Sequence, residues 1–182
     1  MTTIIKNRQA VADDYALLKL AEGEVAETVA LPAGAVLVPL AVWVVRKTEL
    51  LARGTAVGVW LDAGEGPEAI AADLAQLPVI GVNFPKFVDG RGYSTARLLR
   101  ERYGFRGQLR AIGDVLRDQL FALAEVGFDA FSLRDGKDPE AALAGFADFG
   151  SVYAPTVGHP APWFRRRHGG PSPDGLWHPE GR

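Results

Sequence analysis

The chain has 182 residues, 48% of them hydrophobic and 23% charged, with a formal net charge of -2. That balance belongs to a globular domain with a sizeable core; it excludes a disordered chain and gives no global attraction to nucleic acid or an anionic membrane. The sequence holds no cysteine, which excludes disulfides, a thiolate nucleophile, cysteine-bound zinc and cysteine-ligated iron–sulfur clusters.

Taken from the N-terminus, "MTTIIKNRQAVADD" lacks an apolar signal core, and a cytoplasmic location is expected. Thr3 to Ile5 reads as a short strand, followed by a polar turn and a second extended or helical piece. Residues 1–34 are therefore read as an N-terminal strand and extension. Ala35 to Val45 is the most apolar run; it is too short to span a bilayer and contains Pro39. A helix containing Thr48 to Leu51 is expected after it. Ala56 to Leu61 reads as a buried strand ending in a Gly-rich turn. Pro67 then suits a first helical turn, where its missing N–H would be unpaired anyway. The helix from Pro67 to Gln76 presents Ile70 and Leu74 on one face, and "PVIGVNF" follows as another buried strand.

The second half alternates more clearly. "YSTARLLRERYG" is expected to be a helix capped by Ser94 and stopped by Gly104. "GQLRAIG" reads as a strand. "DVLRDQLFALAEVGF" reads as an amphipathic helix from Asp114, with Leu116, Leu120, Leu123 and Ala124 inward and Gly127 at its end. "FDAFSLRDG" is a strand and turn, Pro139 opens a helix through Ala147, and "SVYAPTV" fits a last short strand. Strands alternating with helices require crossovers, hence one α/β domain over residues 35–154 with a mainly parallel sheet of five or six strands. Its strands are apolar runs rather than alternations, as expected where helices cover both faces. An open doubly wound sheet and a partial barrel both fit. Residues 155–182 form a Pro/Gly-rich tail without periodicity.

Ligands of parallel sheets sit beyond the C-terminal strand ends. That rule selects three loops: "NFPKFVDGRGYS", Gly113–Asp114, and "LRDGKD". Asn83, Lys86, Asp89, Arg91, Tyr93, Ser94, Asp114, Arg134 and Lys137 are expected on one rim. "DGRGYS" combines Gly backbone, an Arg fork and helix N–H groups, so Arg91, Gly92, Tyr93, Ser94 and Arg110 form a candidate anion site, with Asp89 or Asp114 as proton-transfer groups. The same residues also fit a plain turn, with Asp89 and the glycines shaping it and Arg91 paired to an acid. Asp114 and Asp118, four apart, fit either a carboxylate pair for a divalent cation or ordinary dipole and surface partners. Arg110 sits in an apolar strand and must face an acid, an edge or a ligand; Asp114 or Asp118 is the expected partner. His159, His168 and His178 all fall in the tail, so no histidine base or zinc triad is expected in the core. The run Arg165–Arg167 reads as solvated, and Trp43 and Trp60 as core. No metal site and no nucleic-acid or membrane partner is expected.

The block "FPKFVDGRGYSTARLLRERYGFRGQLRAIGDVLRDQ" closely resembles the bacterial domain-of-unknown-function family 934. The resemblance covers about Ala35 to Arg167 and is most specific from Phe84 to Gln119. It implies a place beside assimilatory sulfite reductase and the enzyme reducing phosphoadenosine phosphosulfate, and the family's members are often labelled oxidoreductases of sulfite reduction. A reductase needs an electron carrier, and the sequence carries no recognisable nucleotide fingerprint, so the cofactor is unknown; a flavin could bind a parallel-sheet rim without a fixed motif. Two functions follow from the resemblance and the loops. One is an accessory protein acting with sulfite reductase or its electron donor. The other is a small enzyme or binder of a sulfur oxyanion or phosphate, using the Asp89–Ser94 loop.

Overall fold

The computed structural model describes residues 2–147 and 155–157. Eight strands form one sheet: β1 Thr3–Lys6, β2 Gln9–Ala12, β3 Ala16–Leu17, β4 Val36–Pro39, β5 Val57–Leu61, β6 Val79–Phe84, β7 Gln108–Gly113 and β8 Ala130–Phe131. Their spatial order is β2-β1-β8-β7-β6-β5-β4-β3. From β3 to β8 every neighbour pair is parallel, and β1 pairs antiparallel with both β2 and β8. The parallel part thus has six strands, in sequential order, with the N-terminal hairpin added at the β8 edge.

That order decides between the two architectures the sequence left open. In a doubly wound sheet the strand order reverses at a switch point. Here it never reverses, so successive right-handed crossovers all lie on one side. Packing agrees. The helical residues Val42, Trp43, Leu50, Ile70, Ala96, Leu99, Leu120, Leu123 and Phe146 share one core with Val36, Val38, Val59, Leu61, Ile80, Val82, Phe84, Leu109 and Ala111. The alternate strand positions Leu37, Val79 and Ile112 form a separate cluster with Trp60 and Tyr15, which among the described residues no helix residue joins. The expectation of helices on both faces is therefore corrected. The strands are apolar throughout because their inner face is buried against the sheet itself.

The sheet curls to do this. β2 and β3 are its two edges, yet only Asp13, Asp14 and Tyr15 separate them. Four residue steps span at most about 14 Å, whereas a flat sheet of this width would place its edges about 34 Å apart. The segment Gln9–Leu17 consequently pairs with β1 through its first half and with β4 through its second, closing a barrel-like sheet. Two glycines make the interior fit. A Cβ on Gly58 would lie 2.7 Å from Leu37 Cδ1, and one on Gly81 would lie 2.7 Å from Trp60 Cβ. The Trp60 indole donates to the Leu18 carbonyl at 2.9 Å.

On the outer side, α1 runs Leu40–Ala52 and begins directly after Pro39, so the apolar run Ala35–Val45 divides between β4 and the first turns of this helix, which starts earlier than the expected helix around Thr48 to Leu51. Pro39 has no N–H to continue a ladder, and Val42 and Trp43 are buried on the sheet. The Trp43 indole donates to Asp73 at 2.8 Å, and Lys47 pairs with the same carboxylate. Pro67–Gln76 is a 3-10 helix rather than an α-helix. Helix α2, Arg91–Arg97, continues as a π-turn over Leu98–Arg102. A 3-10 turn, Arg117–Gln119, leads into α3, Leu120–Glu125. Helix α4, Pro139–Ala142, continues as a 3-10 helix over Leu143–Ala147. Among the described residues no helix is long and apolar enough to cross a membrane. The last predicted strand and the tail lie largely outside the described residues; Pro155–Val157, which are described, are not strand.

Candidate functional site

The three selected loops do meet, and Asp114 is where they meet. Gly113 closes β7 with φ +95°, in the left-handed region that favours glycine, and a Cβ there would strike Asn83 Oδ1 at 2.4 Å. This turn lets the Asp114 N–H donate to the Phe84 carbonyl at 2.7 Å. Its carboxylate accepts the Phe87 N–H at 3.0 Å and lies 3.3 Å from Arg134 Nη1. Gln119 adds a bond to the Phe87 carbonyl at 3.3 Å. The loop after β6 is thereby tied to the loops after β7 and β8.

The "DGRGYS" segment is turned otherwise than an anion cradle requires. Arg91 donates to Asp89 through Nε at 3.0 Å and Nη2 at 2.6 Å, and its backbone N–H reaches the same carboxylate at 3.1 Å. These bonds hold the Asp89 carboxyl down at about 2. The Arg91 fork is occupied by its neighbour, and its side chain is 64% exposed. Helix α2 begins at Arg91 with Gly90 as N-cap, so Ser94 lies inside the helix and is not its cap. Tyr93 packs edge-on against Phe84 at 5.7 Å, and burial pushes its phenol above the ordinary value. Gly92 is buried under the same ring, where a Cβ would lie 2.5 Å from Phe84 Cζ. Gly92→Ala should accordingly lower stability by about 1–3 kcal/mol through overpacking. Urea denaturation measures this, and an unchanged midpoint would remove the packing role.

Arg110 is elsewhere, on the inner face of β7, in register between Gly81 and Ala130. It pairs neither with Asp114 nor with Asp118. Its Nη1 donates to both oxygens of Asp13, at 2.8 and 2.9 Å, and the Tyr15 ring centroid lies 5.5 Å from its guanidinium carbon. The reason is the alternation of β7: Ile112 and Arg110 point inward, whereas Asp118 lies in a helical turn that starts only at Arg117. Asp114 and Asp118 therefore do not share a helix face. Among the described residues no group of three or more His, Cys, Asp or Glu is placed to hold a metal ion.

A pocket of about 590 Å³ opens at the barrel mouth. Arg110, Asp114 and Arg134 line it, as do Asp13 and Tyr15 from the closing segment and Lys19 just after it. Asp89, Arg91, Gly92, Tyr93 and Ser94 do not. The structure thus brings together three of the sequence-selected residues, Arg110, Asp114 and Arg134, and adds Asp13 and Tyr15. The signal for these additions was present: "ADDY" interrupts an otherwise extended segment with two acids, and Arg110 required an acid.

A model of a bacterial protein family of unknown function (DUF934) matches residues 58–164. No curated protein matches the chain. The match begins within β5, leaving the closing segment with Asp13 and Tyr15 outside it while containing the whole Phe84–Gln119 block. It spans more than half of the sequence, and the chain belongs to this DUF934 family of bacterial proteins of unknown function.

Proposed function

We propose that the chain is an accessory protein of assimilatory sulfate and sulfite reduction, acting by contact with sulfite reductase or its electron donor. The pathway is what the family resemblance implies; the surface feature that carries the contact is the loop after β6. Val88 stands 82% exposed beside exposed Phe87 at its tip. The bonds from Asp114 and Gln119 to the Phe87 backbone hold that tip in place. Phe87 and Val88 together offer an exposed apolar contact, and the hydrogen bonds at the Phe87 backbone lower the ordering cost of a partner docking there. With no cysteine in the sequence, thiol chemistry would belong to a partner rather than to this chain.

A tagged chain recovered from sulfate-grown bacterial cells should bring down sulfite reductase or its electron donor, and Val88→Asp should cut the yield at least fivefold. Recovery of neither protein overturns the reading. A yellow absorbance spectrum of the purified chain, without partner, would favour a flavin-dependent oxidoreductase instead.

A further inference from the structure

We propose that the barrel mouth binds an organic molecule carrying a carboxylate or comparable oxyanion on an apolar body, with Arg110 as the anchoring residue. The inference does not depend on the accessory role. It starts from an unmet donor. The Arg110 side chain is 3% exposed, and both its bonds to Asp13 leave from Nη1. Among the described residues its Nε is buried without a hydrogen-bond partner and Nη2 has no acceptor. Buried donors are paired in the great majority of cases, and those of a charged group are the most costly to leave open. Nη2, unlike Nε, keeps open surface, and a guanidinium N–H there can donate to one oxygen of a carboxylate, phosphate or sulfate group. Asp13 and the Tyr15 ring hold the guanidinium, so Nη2 is fixed in position before any ligand arrives.

The pocket's size and walls define the rest of the ligand. About 590 Å³ is the range of sites for small organic molecules, far larger than a bare sulfur oxyanion needs. Leu37, Ile112 and Leu133 supply apolar wall, and Ser132 and Lys19 add polar groups near the mouth. The lining carries the cations Lys19, Arg110 and Arg134 against the acids Asp13, Asp114 and Asp135. With these charges balanced, recognition rests on the directed donors of Arg110 and on apolar burial rather than on net field.

Isothermal titration of the purified full chain with benzoate, hexanoate, phenyl phosphate, inorganic sulfate and neutral benzyl alcohol tests this. At least one organic anion should bind one to one, at least tenfold more tightly than sulfate or benzyl alcohol; benzoate against phenyl phosphate distinguishes a carboxylate from a phosphate site. Arg110→Lys keeps a cation for Asp13 but removes the fork, and should weaken binding at least tenfold. Leu133→Trp fills the apolar wall with Arg110 untouched and should also weaken it, which decides the matter should the first variant not fold. No binding of any organic anion, or binding unchanged by the variants that fold, overturns the site. Sulfate binding as tightly as the organic anions overturns the apolar part of the assignment.

Discussion

Exchanging Arg110 for methionine should destabilise the protein by about 3–5 kcal/mol, the loss expected when one member of a buried ion pair is removed. The side chains of Arg110 and Asp13 are 3% and 9% exposed. Methionine fills similar volume, so the loss reports mainly the carboxylate left without its cation. Asp13→Asn added to that variant should recover most of the loss, because no buried charge then remains. Asparagine is the right partner change, since Asp13 Oδ1 also accepts the Tyr15 N–H at 3.0 Å and an amide oxygen can still do so. Alanine would lose the turn as well. Urea denaturation of the wild type, both single variants and the double variant gives the coupling energy directly. A loss below about 1 kcal/mol for the Arg110 variant would mean that the pair is effectively solvated. The experiment also probes how the barrel closes. Asp13 lies on the segment joining the two sheet edges, and Arg110 reaches it across a sequence separation of 97. A tie of that range strengthens the closure itself.

The same pair shows what could be read from the sequence. That Arg110 needs an acid follows from its place in an apolar strand; which acid does not. Spacing can only nominate neighbours such as Asp114, whereas Asp13 comes near through the curl of the whole sheet. Helix stops were legible because they are local: Gly104 and Gly127 adopt φ +64° and +106° after α2 and α3, as glycine allows at little cost. Ser94 misled for a related reason. It is a good cap by chemistry, but α2 starts three residues earlier, at Arg91, behind Gly90. The sense of winding was not legible at all. Strand–helix alternation is common to doubly wound sheets and barrels; what separates them here is the unreversed strand order, and the two-residue β3 at which the sheet's ends approach is too short to leave a periodic signal. Its edge position joins the chain's beginning to its middle. Apolar runs were correctly taken as buried on both faces, but the second cover is the opposite wall of the sheet.

Arg100→Met should cost about 2–4 kcal/mol, and the cost should grow with pH. Arg100 is the strut behind the barrel's lower edge. Its Nε donates to the Gly127 carbonyl at 2.9 Å, Nη1 to the carbonyls of Phe105 and Gly107 at 2.8 and 2.9 Å, and Nη2 to Asp129 at 2.8 Å. One side chain thus fastens the approaches to both β7 and β8 to the end of α2's π-turn. Methionine replaces its stem but none of its donors, and unmet buried carbonyls together with a weakened carboxylate account for the loss. The side chain of Asp129 keeps 37% of its exposure, so water screens the pair, and the figure stands below that for Arg110. The pH dependence follows from Asp129. Burial raises its carboxyl above the ordinary value, while the Arg100 charge and hydrogen bonds from Leu109 and Arg100 pull it down. Removing Arg100 takes away much of that downward pull, so the folded-state value rises further. An acid whose folded value lies above its unfolded one binds its proton more tightly when folded. Its favourable contribution is therefore present at low pH and lost as pH climbs from the unfolded value through the folded one. The variant should accordingly differ less from wild type at pH 4.5 than at pH 7.5, as urea midpoints at the two pH values would show. A difference that shrinks toward pH 7.5 would place the charge that matters on some group other than Asp129.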